Sequence, residues 1–425
     1  MKKNANLFSM AFFILFLASG ILLAGCSSPK ESAAENISKE MSQTQVQQPE
    51  QEAPQIANPA SVFCKEHNGT LEIRNDEKGG QVGYCILYQG IECEEWSYYQ
   101  GKCPVKEAEK PKILSIPKSV EDNCIGFDIG MPEEITMVSE IGGGWIRPNL
   151  GTFSWGFIEP EKNKFDFSMT DKYVQEAQEK NIAIVATIFP YADWDQAQCH
   201  SSECIVSPQD YPEDKMGWKI GIPKSRCIPC NFINYNLFIT KLIERYDGDG
   251  VDDMPGLKIP IKYWEVLNEP EMNGTGLAFF YGNPDEYAEI FKKTRDSIKE
   301  SCPDCKVLHG GAAGIQDYMI NYWAKVFGNK IDFDIANIHF IKRTDLSTLN
   351  VKDFKSLLQK NGISKDIWVT EAEYNSDSEI ASSVTNALNA GASKIFFTQF
   401  EIGHFGLPQD GKYSAGYNNI ASKCK

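Results

Sequence analysis

The sequence predicts an α/β protein, a (β/α)8 TIM barrel preceded by a small disulfide-rich domain. Three observations predict it. From Lys110 onward, eight short β-rich runs alternate with longer amphipathic stretches over roughly 300 residues, the arithmetic of a strand–helix unit repeated eight times. The glycine-rich turn Gly142-Gly143-Gly144 precedes a strand instead of joining a strand to a helix, so the dinucleotide fingerprint of a doubly wound sheet is missing. Ahead of the barrel, Cys64, Cys85, Cys93 and Cys103 crowd into a stretch too short to build a core unaided.

The chain has 425 residues, 42% hydrophobic and 24% charged, a globular balance that argues against wholesale disorder and a multi-span membrane protein. A net charge of −16 repels phosphate backbones, so no nucleic acid is expected as a partner. Neutral ligands such as carbohydrate remain open. Thirteen cysteines point to an oxidising compartment or to metal sites.

Residues 1–26 bear on the compartment. Lys2 and Lys3 precede an apolar run from Leu7 to Leu23, which closes in Leu23-Ala24-Gly25-Cys26. That is the pattern of a lipoprotein signal peptide, in which cleavage leaves Cys26 as the lipid attachment site. The expectation is an extracytoplasmic protein, at the cell surface or in a periplasm, held to a membrane by a lipid anchor. Residues 27–58 are rich in Ser, Glu, Gln, Ala and Pro and read as a disordered tether.

Residues 59–105 form the expected four-cysteine module. Outside the cytosol an even count implies two disulfides, with three pairings open. No Cys-x2-Cys knuckle is present to favour zinc. The runs Asn58-Pro59-Ala60-Ser61-Val62-Phe63-Cys64, Gly83-Tyr84-Cys85, Cys93-Glu94-Glu95-Trp96 and Gly101-Lys102-Cys103 resemble a small bacterial and archaeal module of unknown function, in places labelled a haemolysin. The resemblance implies no activity.

Residues 112–425 form the expected barrel. Its strands are expected at Cys124–Ile129, Trp145–Arg147, Ile182–Ile188, Lys262–Leu267, Lys306–Gly311, Ile335–Phe340, Asp366–Thr370 and Lys394–Phe400. Helical patterns lie at Asp171–Lys180, Phe232–Tyr246, Pro284–Lys299, Asp317–Phe327 and Ser378–Ala390. The gap between the third and fourth strands holds Cys199, Cys204, Cys227 and Cys230, expected as two loop-closing disulfides, with a four-thiolate zinc site as the alternative. Cys302 and Cys305 read as a local staple. Cys124 and Cys424 flank the barrel, whose termini lie close together, and are expected to pair. Asp247-Gly248-Asp249-Gly250-Val251-Asp252-Asp253 has the alternating oxygen ligands of a calcium loop but lacks the distal Glu of an EF-hand, and such runs are also ordinary turns. No other metal or cofactor is expected.

The chemistry-bearing residues fall at two strand ends. The fourth strand runs Tyr263-Trp264-Glu265-Val266-Leu267 into Asn268-Glu269-Pro270, and the seventh runs Ile367-Trp368-Val369-Thr370 into Glu371. Polar residues at strand carboxyl ends point into the mouth of a barrel, where catalysis occurs. Two carboxylates there can hydrolyse a glycoside, one as general acid and one as nucleophile, when about 5–5.5 Å separates them.

These two runs resemble the signatures of the clan-A retaining glycoside hydrolases. The segment Gly144-Trp145-Ile146-Arg147 through Trp155, Ile158-Glu159-Pro160 and Phe165-Asp166-Phe167 is similar to the β-xylosidase, α-L-iduronidase and cellulase-like members. The resemblance implies Glu269 as acid/base, Glu371 as nucleophile and Asn268 on the sugar 2-hydroxyl. It also implies Arg147 beside Glu371 and His339 as the strand-six histidine. Where the clan has a tyrosine after that histidine this chain has Phe340 and Ile341, and its eighth strand lacks the usual tryptophan. Gln399, Phe400 or Trp194 are candidates for that place in substrate binding. Glu373 is the alternative nucleophile. The second functional class is a non-catalytic carbohydrate-binding surface lipoprotein on the same barrel.

Overall fold

A computed structural model describes residues 58–67, 69–76, 78–87, 92–103, 113–206, 221–274, 277–341, 348–373, 377–400 and 420–424. The chain divides into two compact units, one ending at Pro104 and the other beginning at Val105.

In the first unit, helix Pro59–Glu66 opens where the Asn58 side chain accepts the Ala60 N–H at 3.0 Å. A three-stranded antiparallel sheet follows (Thr70–Asn75, Gln81–Ile86, Glu92–Glu94), then helix Glu95–Tyr99. Disulfides Cys64–Cys85 and Cys93–Cys103 tie helix to sheet and sheet to the following turn. Buried Glu95 accepts hydrogen bonds from Asn58 and Ser61, which fixes the two helices on each other.

The second unit is a closed barrel of eight parallel strands. They are β1 (Ile125–Ile129), β2 (Trp145–Pro148), β3 (Ala183–Ile188), β4 (Tyr263–Asn268), β5 (Lys306–Gly311), β6 (Ile335–Phe340), β7 (Asp366–Ala372) and β8 (Ala392–Phe400). Helices α1 (Ile135–Glu140), α2 (Ser168–Glu179), α3 (Phe232–Tyr246), α4 (Pro284–Ser301), α5 (Asp317–Gly328), α6 (Val351–Lys360) and α7 (Asp377–Ala390) fill the seven crossovers. The sequence pattern placed all eight strands. Helix α6, which it did not name, carries Phe354, Leu357 and Leu358 on one buried face.

Strand alternation sorts the barrel interior into layers. At the amino end Trp145, Tyr263 and Trp368 pack ring against ring at 5.0–5.4 Å, with the Lys394 ammonium 4.4 Å from the Trp145 ring centre. This aromatic layer fills the floor. Two residues on along the same strands come Arg147, Glu265 and Thr370, so the polar chemistry lies at the carboxyl end.

Four further disulfides join Cys124–Cys424, Cys199–Cys230, Cys204–Cys227 and Cys302–Cys305. The four cysteines between β3 and β4 are therefore bonded in a nested pair, which leaves no thiolate for zinc. Six disulfides point to a chain folded in an oxidising, extracytoplasmic compartment. Among the described residues no helix is long and apolar enough to cross a membrane.

Candidate active site

Arg147 is the hub of the mouth. Its side chain is 1% exposed, and Nε donates to Glu265 at 2.7 Å, Nη1 to Glu371 at 2.7 Å and Nη2 to Asn268 at 2.6 Å. Burial works against its charge, and Glu265, Asp128 and Glu371 more than restore it, so its pKa is raised and it stays a cation. Glu265 is fully buried beneath the site. Besides Arg147 it accepts from Thr187 at 2.6 Å, from the Asn337 amide at 2.6 Å and from the Gly311 N–H at 3.1 Å. A carboxylate with four donors is a fixed anchor for the guanidinium.

Both presented ends break strict strand alternation. On β4, Tyr263 and Glu265 face inward, and Leu267 then takes φ +65° and Glu269 φ +40°. This is left-handed backbone, which costs a non-glycine residue about 1–3 kcal/mol and persists only where surroundings fix it. The Glu269 N–H donates to Gly311 O at 3.2 Å, and Glu269 O accepts from Met272 at 2.8 Å. The twist brings Asn268 into the mouth beside Glu269. On β7 the register against β6 skips a residue, from Ile338–Val369 to His339–Glu371. That bulge turns the adjacent Thr370 and Glu371 both inward.

His339 lies between the two glutamates. Its Nδ1 is 2.8 Å from Glu269 Oε1 and 3.6 Å from Glu371 Oε2. Thr370 donates to Asn337 Oδ1 at 2.7 Å, so its oxygen accepts from His339 Nε2, 3.0 Å away. The Asn337 amide is itself oriented by its bond to Glu265. Nε2 therefore carries a proton, and Nδ1 shares one with Glu269. Burial pushes the Glu269 pKa up against the influence of His339, with Glu371 adding to the rise. Burial pulls His339 down, but Glu371 and Glu269 outweigh it and lift the imidazole to about 9. One oxygen each from Glu269 and Glu371 and a nitrogen of His339 lie within 4.8 Å of one another. A carboxyl group whose pKa burial raises, beside a second carboxylate, suits proton donation paired with nucleophilic attack.

The structure thus brings Arg147, Asn268, Glu269, His339 and Glu371 together. Glu371, and not Glu373, meets Arg147 and His339. Trp194 packs edge-on against Trp155 at 5.1 Å and donates to the Glu159 carbonyl, and no described contact links it to the glutamates. The side chains of Gln399 and Phe400, and Cys26, lie outside the described residues. In the Asp247–Asp253 turn, Asp247, Asp249 and Asp253 accept from the N–H groups of Asp249, Val251, Gly248 and Gly250. The loop closes on its own carboxylates, the pattern of a turn. Asp128, Thr187, Glu265, Gly311, Asn337 and Thr370 were not singled out from sequence. Counting back by twos from His339 reaches Asn337, a signal that was available.

Two family models match parts of the chain. Residues 55–102 match a domain of unknown function (DUF333), and residues 131–188 match the Beta-galactosidase family (Glyco_hydro_42). No curated protein matches the sequence. Among solved structures the chain is similar to a glucosidase from Croceicoccus marinus, with TM-score 0.51 and 13% identity over 71% of this chain and 67% of that one. It is also similar to a family 39 glycoside hydrolase from Bacteroides cellulosilyticus WH2, with TM-score 0.47 and 13% identity over 81% and 69%. The first likeness shows the barrel fold; the Beta-galactosidase match supports a glycosidase.

Proposed function

We propose that the protein is a retaining glycoside hydrolase acting on an extracytoplasmic poly- or oligosaccharide. The observation that carries this is the pairing of Glu269 and Glu371, one oxygen of each lying within 4.8 Å of the other. So close an approach favours direct attack by one carboxylate over a water held between the two. Glu371 is the nucleophile: Arg147 holds one of its oxygens at 2.7 Å, and His339 stands 3.6 Å from the other. Glu269 is the acid/base, since burial raises its pKa as a proton donor to the leaving oxygen requires. The same residue then deprotonates the incoming water. Asn268, fixed by Arg147, is placed to bond the sugar beside the reacting carbon. Membrane attachment through a lipidated Cys26, followed by the tether of residues 27–58, would hold the barrel at its substrate outside the cytoplasm.

The test uses activated aryl β-glycosides. Glu371→Gln should abolish turnover with every leaving group. Glu269→Ala should still form the glycosyl-enzyme, stall there and be restarted by azide, giving a glycosyl azide of retained configuration. Release of sugar with inverted configuration by the native protein would overturn the double displacement. Unaltered hydrolysis in both variants would favour a structural pair.

A further inference from the structure

Resting on the glycosidase reading, we infer that Asp128, at the carboxyl end of β1, is a sugar-binding residue that takes a hydroxyl of the glycon bound over Glu371 and Glu269. No motif marks it: it is a single acid in the apolar run Ile125-Gly126-Phe127-Asp128-Ile129. Its Cα pairs with Arg147 across the β1–β2 ladder, which sets it level with the hub of the mouth. One oxygen, Oδ1, is buried without a hydrogen-bond partner and lies 3.6 Å from Arg147 Nη1. The side chain as a whole is 20% exposed, so the residue is not sealed off from the mouth.

A purely structural use explains this poorly. Arg147 is already held without it, because Glu265, Glu371 and Asn268 each take one of its nitrogens at 2.6–2.7 Å. An acid left with one weak contact at a buried oxygen costs stability, and such costs are retained where a ligand completes the bonding. Burial raises the Asp128 pKa well above its ordinary value; Arg147 and His339 pull it down, and Glu371 and Glu265 push it up. A carboxyl group that holds its proton can donate to a sugar oxygen and accept from the next hydroxyl.

The test starts from 4-nitrophenyl β-glucoside, β-galactoside, β-mannoside and β-xyloside, and takes the best substrate together with its monodeoxy analogues. Asp128→Ala should lower kcat/KM about tenfold or more, whereas Asp128→Asn, which keeps a donor and an acceptor in place, should stay within about threefold. One deoxy position should cost the native protein as much as Asp128→Ala does, and cost that variant nothing further. If Asp128→Ala does not fold, Asp128→Ser, which withdraws the carboxyl but leaves a polar group, carries the same expectation. Native-like kinetics in the Ala or Ser variant would overturn the inference, as would an equal penalty at every deoxy position. Asn behaving as badly as Ala would mean that Asp128 serves as a counter-charge. In each of those outcomes the native protein still cleaves, so the glycosidase reading survives. A native protein that cleaves none of the four glycosides sinks both.

Discussion

Gly311 lies directly beneath the His339 ring: a Cβ built on it would stand 1.8 Å from Nε2. Glycine at the end of β5 is therefore what allows the imidazole to sit between Glu269 and Glu371. The same residue donates its N–H to Glu265 and its carbonyl accepts from Glu269, so one position serves three members of the site.

Gly311→Ala should displace the ring and break both of its bonds. A displacement of about 1 Å at a catalytic group can cost about a hundredfold in rate. The expected result is a folded protein, destabilised by about 1–3 kcal/mol from overpacking, with kcat reduced on that scale. Thermal melting and steady-state kinetics check it; native kcat in this variant would show that the ring position is not critical.

His339→Asn should separate rate from pH dependence. Burial raises Glu269, and His339 opposes that rise through its hydrogen bond and its charge. Without the imidazole the Glu269 pKa should climb further, so the alkaline limb of kcat/KM should move to higher pH while the maximal rate falls. An alkaline limb that moved down would reverse this assignment of proton sharing.

Glu271, 4% exposed, is raised by burial from 4.5 to about 7. A carboxyl group whose folded pKa lies above its unfolded value adds stability at acid pH, and that stability is lost as pH rises from about 4.5 through 7. Glu271→Gln removes the term. The melting temperature of the native protein should therefore drop more steeply across that window than the variant's, and parallel curves would count against it.

Cys26→Ser tests the anchor. The variant should remain unprocessed or be released, and membrane fractionation should be lost. Unchanged processing and membrane association would remove the lipid attachment from the proposal.

The barrel was legible because its strands are nearly pure apolar runs, bounded by turns and separated by helical periodicity. Motif resemblance singled out the Glu269 and Glu371 runs, but strict alternation would have turned Asn268 and Glu371 out of the mouth. With Trp368 and Thr370 inward, Glu371 should point outward; only the skipped residue against β6 turns it in. The positive φ at Leu267 does the same for Asn268. Such local departures answer to contacts across the barrel, which a linear pattern does not encode. Asp128 stayed hidden for a related reason. Its significance lies in what Arg147 leaves unbonded, a property of the assembled mouth. In the cysteine module three pairings were open, and the closeness of helix to sheet selects Cys64–Cys85.

The Cys124–Cys424 bond joins the residue just before β1 to one at the far end of the chain, 300 positions away. Every strand of the barrel lies inside that covalent ring. A protease that cuts one exposed loop in it opens the ring without producing two molecules, since both pieces stay attached through the sulfurs. Outside a cell, where hydrolases are abundant and a damaged chain is not replaced in place, a nicked barrel of this kind keeps Arg147, Glu269 and Glu371 on one object. Under non-reducing conditions a single cut should leave the mass of the barrel unchanged apart from one added water, and reduction alone should reveal that the chain had been broken.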